Sequence, residues 1–184
     1  ETFTFSFKII VTGIIPAVFV GLFTPIQDII DGSPYLLLVT GISYLFFAIL
    51  LIFSERINKS ENIGINEITI KQAFIIGLAQ SIALLPGISR SGVTLLMAIY
   101  LGVKKADAIY YSLLLGIPTI FGAWSLTFIN QSFTVNADII IPTIVAMFTG
   151  VLAIKVLINF TTNSKLQFFG FYCLLLSGFC FLVS

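Results

Sequence analysis

Apolar residues fill most of the chain in long runs that short polar segments separate. The runs are Ile9–Phe23, Leu36–Phe53, Ala73–Leu85, Leu95–Val103, Ala108–Ile129, Ile139–Leu157 and Leu166–Val183. A helix needs about 20 mostly apolar residues to cross a bilayer, within a range of about 17–25. The second run and the last three reach this length, and the first approaches it when Phe3–Phe7 is added. The pattern therefore predicts about five transmembrane helices.

The third and fourth runs, Ala73–Leu85 and Leu95–Val103, are too short to cross a bilayer. Apolar runs of about 10–14 residues are typical of re-entrant segments, which enter and leave the membrane on one side. Pro86 and Gly87 interrupt the helix between them, because proline lacks a backbone donor and glycine tolerates turn conformations. The sequence predicts one re-entrant helical hairpin, and all other membrane segments as helices, since backbone in lipid must satisfy its own hydrogen bonds.

The positions of lysine and arginine favour the hairpin over a single crossing. Cytoplasmic loops of membrane proteins collect these residues. A hairpin places eight of the nine basic residues on one face: Lys8, Arg56, Lys59, Lys71, Lys104, Lys105, Lys155 and Lys165. A single crossing would put Lys104 and Lys105 outside. We therefore predict the loops Thr24–Tyr35 and Asn130–Asp138 on the outer face and both ends of the hairpin on the inner face.

Composition agrees with a membrane protein. The chain is 58% hydrophobic and 9% charged, whereas about a quarter of a soluble domain is charged. Its length suits a single membrane domain spanning residues 1–184. The net charge is +1 and no basic run indicates nucleic acid. Cys173 and Cys180 would lie about 10 Å apart on one helix, too far for a disulfide, so we interpret them as apolar packing or lipid-facing residues.

Arg90 is the only charged residue between Lys71 and Lys104, and it falls at the predicted tip of the hairpin. An ionised side chain at membrane depth costs at least about 2.5–3.5 kcal/mol, so such a residue is a functional candidate by default. Its planar guanidinium matches phosphate or carboxylate oxygens. All eight acidic residues lie in loops or at the ends of runs. We therefore favour an anion site, most naturally for phosphate, over a structural ion pair.

The residues around Arg90 add further groups that suit an anion. Glycines would let the backbone approach a ligand, hydroxyls would bond to it, and a helix starting near Gly92 would aim its N–H groups at the turn. These residues are Gly87, Ser89, Ser91, Gly92 and Thr94. Three of them have a structural alternative: Ser91 or Gly92 could cap a helix, and Thr94 could bond to its own helix. Gln80 could line the site or bond to a neighbouring helix.

The run Gln80–Thr94 (QSIALLPGISRSGVT) closely resembles the second motif of the bacterial undecaprenyl-diphosphate phosphatase family, the bacitracin-resistance type. That motif reads Pro-Gly-x-Ser-Arg-Ser-Gly-x-Thr, and residues 86–94 match every fixed position. The resemblance continues through Ala106–Trp124 and reaches back to Gly13–Val18 and to Glu55. It covers nearly the whole chain.

The resemblance assigns roles to the tip residues. Arg90 is expected to clamp a diphosphate, and with Ser89 it is predicted to be catalytic. The predicted substrate-binding residues are Gly87, Ser91, Gly92, Thr94 and Gln80. Hydroxyl contacts to phosphate are expected from Ser89, Ser91 and Thr94.

Members of that family begin with another re-entrant hairpin, which carries a Glu-rich stretch and a Pro-x-Ser-Ser-Thr-Gly-His motif. Neither is present here, and the sequence contains no histidine. The resemblance implies an inverted repeat whose polar loops meet within the membrane. It also implies a divalent metal, Mg or Ca, whose ligands, like the nucleophile or base, belong to the part not present. We therefore expect this chain alone to be inactive.

The implied activity is hydrolysis of undecaprenyl diphosphate to the monophosphate and phosphate, which recycles a lipid carrier for cell-wall synthesis. The expected partners are a polyprenyl diphosphate and the bilayer, with no nucleic acid, and a homodimer is left open. The expected location is the bacterial plasma membrane, with the site opening toward the outer face.

Three other functions remain open at this stage. A polyprenyl-phosphate flippase would use the same inverted repeat and anion site without hydrolysis. The other class of membrane lipid phosphatase depends on two histidines, which disfavours it here. A purely structural membrane subunit leaves Arg90 unexplained.

Overall fold

The computed structural model describes residues 2–25, 29–30, 32–54, 63–130, 139–163 and 166–184. Within these ranges the chain is helical, with no strand ladder, which confirms the predicted all-α membrane fold. The helices are α1 (Thr2–Phe23), α2 (Leu36–Ser54), α3 (Ile70–Ile82), α4 (Arg90–Tyr100), α5 (Lys105–Asn130), α6 (Ile140–Thr162) and α7 (Leu166–Val183), with a 3₁₀ turn at Ile65–Glu67.

Among the described residues, four helices are long and apolar enough to cross a membrane: α2, α6, α7 and the segment Lys105–Ser125 of α5. Helix α1 has 22 residues and contains Pro16, which gives it a length of about 33 Å. It therefore has the length for the fifth predicted span. The most apolar stretch of α6 has no buried residue, as expected for a helix that is hydrophobic on all sides and faces lipid.

Helices α3 and α4 form the two arms of the predicted hairpin. They have 13 and 11 residues, or about 20 Å and 17 Å, too short for a bilayer. The chain before α3 lies against the chain after α4, because Ile63 N donates to Gly102 O at 3.1 Å and Lys104 N donates to Ile63 O at 3.0 Å. The start of α3 therefore lies beside the end of α4, and the predicted hairpin geometry is confirmed.

Local sequence explains why the base of the hairpin forms there. Thr69 and Gln72 make a capping box at the start of α3, in which Thr69 Oγ1 accepts from Gln72 N at 3.3 Å and Gln72 Oε1 accepts from Thr69 N at 2.9 Å. Gln72 Nε2 also donates to Leu101 O at 3.3 Å, across the base. Gly102, with φ of +91°, supplies the left-handed turn that ends α4.

Close helix contacts in the rest of the fold occur where side chains are small. Ser177 Oγ on α7 donates to Gly41 O on α2 at 2.7 Å, and Gly170 lies directly against the backbone of α2. Gly77 on α3 likewise meets the backbone of α1 at Gly13. Small residues let membrane helices approach closely enough for dispersion and hydrogen bonding to hold them together. Helices α2 and α7, and α1 and α3, are thus paired.

The structure also bears on the cysteines and on the basic residues. Cys173 and Cys180 are both free and buried, which confirms that they do not form a disulfide. Lys71 and Lys104 are exposed at the base of the hairpin. The basic residues Arg56, Lys59 and Lys165 lie outside the described residues, as do residues 26–28, 31 and 131–138 of the two loops predicted on the outer face.

The side-by-side arrangement of the hairpin ends predicts that Lys71 and Lys104 face the same side of the membrane. Single cysteines at these positions should therefore react with an impermeant thiol reagent from the same side in oriented vesicles. The background would carry alanine in place of the two native cysteines, and a cysteine at Ser132 is the control for the opposite side. Labelling of Lys71→Cys and Lys104→Cys from opposite sides would show that the segment crosses the membrane.

Candidate functional site

The tip of the hairpin is a tight turn between α3 and α4. Helix α3 tightens as it ends, with Ala83 N donating to Gln80 O at 3.0 Å and Leu85 N to Ile82 O at 3.1 Å. Gly87 then takes a φ of +92°, a conformation that residues with a Cβ rarely adopt. The Pro-Gly interruption predicted from the sequence is therefore a real break in the helix.

Ser89 is the residue that starts α4. Its Oγ accepts a hydrogen bond from Gly92 N at 3.2 Å, the usual arrangement of a helix N-cap. The helix begins at Arg90, two residues before the expected start near Gly92, because the cap is Ser89 and not Ser91 or Gly92. The first N–H groups of α4 lie at the tip, where no helical acceptor precedes them.

Arg90 extends from the start of α4 to α5. Its side chain is half-buried, and Nη1 donates to Thr119 Oγ1. The two acidic residues that the structure describes are Glu67 and Asp107; both belong to the base of the hairpin, where Glu67 Oε2 accepts from Gly64 N at 2.8 Å. Within the described part of the chain, Arg90 has a hydroxyl partner and no carboxylate partner. The alternative of a structural ion pair thus gains no support there.

Ser89 and Ser91 point to a cavity on the other side of the tip. Their hydroxyl oxygens are 3.4 Å apart, and both residues line a cavity of about 480 Å³. Its walls are mostly apolar and come from α2, the end of α6 and α7, with Tyr44, Phe47 and Phe169 among them. The predicted site residues are therefore divided: Ser89 and Ser91 line the cavity, and the guanidinium of Arg90 lies toward α5.

Gly87 and Gly92 make room for helix α2, and their assignment as substrate-binding residues stays a prediction. A Cβ on Gly87 would lie 3.0 Å from Thr40 O and 3.3 Å from the ring of Tyr44. A Cβ on Gly92 would overlap the ring of Phe47. The sequence suggested that these glycines let the backbone approach a ligand. In the structure the space beside them is occupied by α2, although both residues also border the cavity.

Thr94 joins the tip to α5. It is 1% exposed, and its Oγ1 is 2.6 Å from Ser112 Oγ, which itself donates to Ser91 O at 2.8 Å. Thr94 Oγ1 also lies within donating distance of Arg90 O on its own helix, at 3.0 Å, so either hydroxyl can be the donor between Thr94 and Ser112. The hydrogen bonds of Thr94 agree with its structural alternative, in which the hydroxyl bonds to its own helix. A direct contact between Thr94 and the substrate stays a prediction.

Gln80 is buried at 3% exposure, and its Oε1 has no hydrogen-bond partner among the described residues. Neither of its two interpretations, lining the site or bonding to a neighbouring helix, is supported by a contact of that oxygen. Its assignment as a substrate-binding residue also stays a prediction.

Thr119 and Ser112 are the residues that sequence reasoning missed. They are seven residues apart on α5 and therefore lie on one face of that helix, two turns apart. Both contact the first turn of α4, Thr119 through Arg90 and Ser112 through Thr94 and Ser91. The available signal was the spacing of these two hydroxyl residues, seven positions apart within the mostly apolar middle of α5.

The described residues do not fit a divalent metal. They contain no group of three or more His, Cys, Asp or Glu side chains that could hold an ion. The groups near the tip are hydroxyls and a guanidinium, and the guanidinium would repel a cation. We therefore assign no residue of the described chain to a metal.

The long apolar helices and the broken hairpin together define an all-helical, multi-pass membrane protein. The sequence then gives its family. The chain belongs to the family described as bacitracin resistance protein BacA, whose model matches residues 1–179. This agrees with the resemblance that the tip motif carries.

Curated relatives extend that match. A protein of Methanococcus vannielii named undecaprenyl-diphosphatase is 39% identical over 176 residues, which cover 96% of this chain and 68% of that protein. One of the same name from Thermosipho africanus is 36% identical, over 100% of this chain and 71% of its own length. One from Aquifex aeolicus is 33% identical, over 92% and 68%. The chain thus spans about two-thirds of the length of these relatives.

The contact between Gly92 and Phe47 predicts that Gly92→Ala destabilises the protein. The added methyl overlaps the Phe47 ring, and overpacking of this kind costs about 1–3 kcal/mol. We expect a lower midpoint of thermal unfolding in detergent, partly restored by Phe47→Leu in the same chain. Gly150→Ala is the matched control, because a Cβ there meets nothing within 4 Å. Equal midpoints for the Gly92 and Gly150 variants would contradict the packing described here.

Proposed function

We propose that the protein hydrolyses undecaprenyl diphosphate to undecaprenyl phosphate and inorganic phosphate. The observation that carries the proposal is the family match along residues 1–179, together with an arginine at the hairpin tip that has no carboxylate partner among the described residues. The relatives cited above are named undecaprenyl-diphosphatase. Those names do not support the flippase alternative.

The reaction places negative charge where Arg90 can reach it. The bond from the terminal phosphorus to the bridging oxygen breaks, the lipid monophosphate leaves, and water supplies the oxygen that completes the inorganic phosphate. Charge spreads over the oxygens of the transferred group, so catalysis depends mainly on positioning and electrostatic stabilisation. A guanidinium has five N–H donors, and Thr119 takes one of them. No hydrogen bond to another described residue is found for the remaining donors, so we infer that they bind phosphate oxygens.

The serine hydroxyls and the start of α4 supply a second set of donors. Ser89 and Ser91 border the cavity, and the first N–H groups of α4 point out of the helix at the same turn. A helix N-terminus favours negative charge through its dipole as well as its donors. We infer that one phosphate of the substrate lies at this turn, with its apolar tail against the aromatic walls formed by α2 and α7.

A divalent metal and the nucleophile or base are part of the proposal, but none of the described residues is assigned to them. When bound, a metal would stabilise charge on the phosphate oxygens. The residues of this chain would bind and orient the diphosphate.

We place the protein in the plasma membrane with its tip opening toward the outer face. The exposed lysines at the base of the hairpin, Lys71 and Lys104, support this orientation, because basic residues collect on the cytoplasmic side. The tip lies at the opposite end of α3 and α4, so it would be reached from outside.

Replacement of Arg90 by lysine tests the proposed role directly. Lysine keeps the charge but cannot make the planar, forked contact, so we expect phosphate release from a polyprenyl diphosphate to fall by roughly 100-fold or more. The measurement uses the complete gene product in detergent, and Lys104→Arg, a similar exchange at the exposed base, is the control and should keep full activity.

Two results would contradict the proposal. An Arg90→Lys protein with activity near that of the unchanged protein would remove the clamp role. Movement of a labelled polyprenyl phosphate across vesicles without any phosphate release would favour the flippase alternative.

A further inference from the structure

We propose that Thr119 is a positioning residue that holds the guanidinium of Arg90 in the orientation that binds phosphate. The inference rests on the proposed function and extends it to a residue outside the tip motif. Its basis is the hydrogen bond from Arg90 Nη1 to Thr119 Oγ1, which joins the start of α4 to the middle of α5 across 29 positions of sequence.

The surroundings of Thr119 orient its hydroxyl as an acceptor for Arg90. Thr119 Oγ1 lies 3.0 Å from Leu115 O and 3.0 Å from Gly116 O on its own helix. A hydroxyl has one hydrogen and two lone pairs, so its hydrogen goes to one of these carbonyls. The lone pairs remain for the guanidinium, which has only donors. The contact is therefore complementary without an acid and leaves the positive charge of Arg90 uncompensated for an anion.

A second link to α5 fixes the backbone end of Arg90. Thr94 and Ser112 join the first turn of α4 to α5, with their hydroxyl oxygens 2.6 Å apart, and Ser112 also donates to Ser91 O. Ser112 holds the backbone beside Arg90, and Thr119, two turns further along, holds the end of its side chain. Helix α5 thus holds Arg90 both at its backbone and at its guanidinium. The side chain has few other orientations, as a preorganised site requires.

The test compares variants of Thr119 in the complete gene product, with farnesyl diphosphate as substrate and inorganic pyrophosphate as a binding probe. Thr119→Val keeps the shape but removes the hydroxyl, and Thr119→Ala is a second variant without it. Thr119→Ser keeps the hydroxyl. Thr149→Val is the matched control, because Thr149 also bonds to its own helix, at 2.8 Å to Val145 O, but lies exposed on α6, away from the tip.

We expect Thr119→Val and Thr119→Ala to lower kcat by roughly 10-fold to 100-fold, a range typical of misplaced catalytic groups, with a smaller change in KM. Pyrophosphate affinity should fall about 10-fold. Thr119→Ser should restore both toward the values of the unchanged protein, and Thr149→Val should alter neither. In a chain that already carries Arg90→Lys, the loss of the Thr119 hydroxyl should have little further effect, because it acts through Arg90.

Two results would overturn the inference. One is a Thr119→Val protein with unchanged kcat and pyrophosphate affinity. The other is an equal fold-loss from Thr119→Val with and without Arg90→Lys, which would mark a merely structural role. If the unchanged protein binds pyrophosphate but releases no phosphate, the proposed hydrolysis fails, and the binding comparison still decides the role of Thr119.

Discussion

The cost of a positive charge within a membrane is the constraint on which the site depends. A guanidinium placed there requires polar partners, and an acid is the partner that would neutralise it most completely. Arg90 instead bonds to a neutral hydroxyl, and no carboxylate among the described residues approaches it. A neutral partner orients the cation without cancelling its charge. Such a cation retains its attraction for an anion, and this is what a phosphate site requires.

The hairpin is the part of the fold that places Arg90 beside its hydroxyl partner. Two short helices, closed at their base by the bonds between Ile63 and residues 102–104, carry Arg90 to their tip. Irregular backbone is tolerated at membrane depth only where protein or a cavity surrounds it. Helix α2 packs against the tip glycines on one side, and α5 holds Arg90 and Thr94 on the other. The turn is thus enclosed by helices and open toward the cavity that Ser89 and Ser91 border.

Much of this architecture follows from local sequence. The lengths of the apolar runs predicted which segments are long enough to cross the membrane, and Pro86-Gly87 predicted the turn. Both features depend only on residues that are close together in sequence. The directions in which the side chains point could not be predicted from local sequence. Whether Arg90 faces α2 or α5, and whether the space beside Gly92 is taken by a ligand or by Phe47, depends on contacts between helices far apart in sequence. Thr119 was missed for the same reason, since only the packing of α4 on α5 makes it a partner of Arg90.

Anion binding by the guanidinium at the tip is the interaction on which the proposed function depends. The most direct measurement is an experimental structure of the complete gene product with bound pyrophosphate. We expect phosphate oxygens about 2.7–2.9 Å from the Arg90 nitrogens, the range for charge-assisted hydrogen bonds, with Thr119 still in contact with the same guanidinium. Pyrophosphate bound elsewhere, with Arg90 paired to a carboxylate, would contradict this expectation.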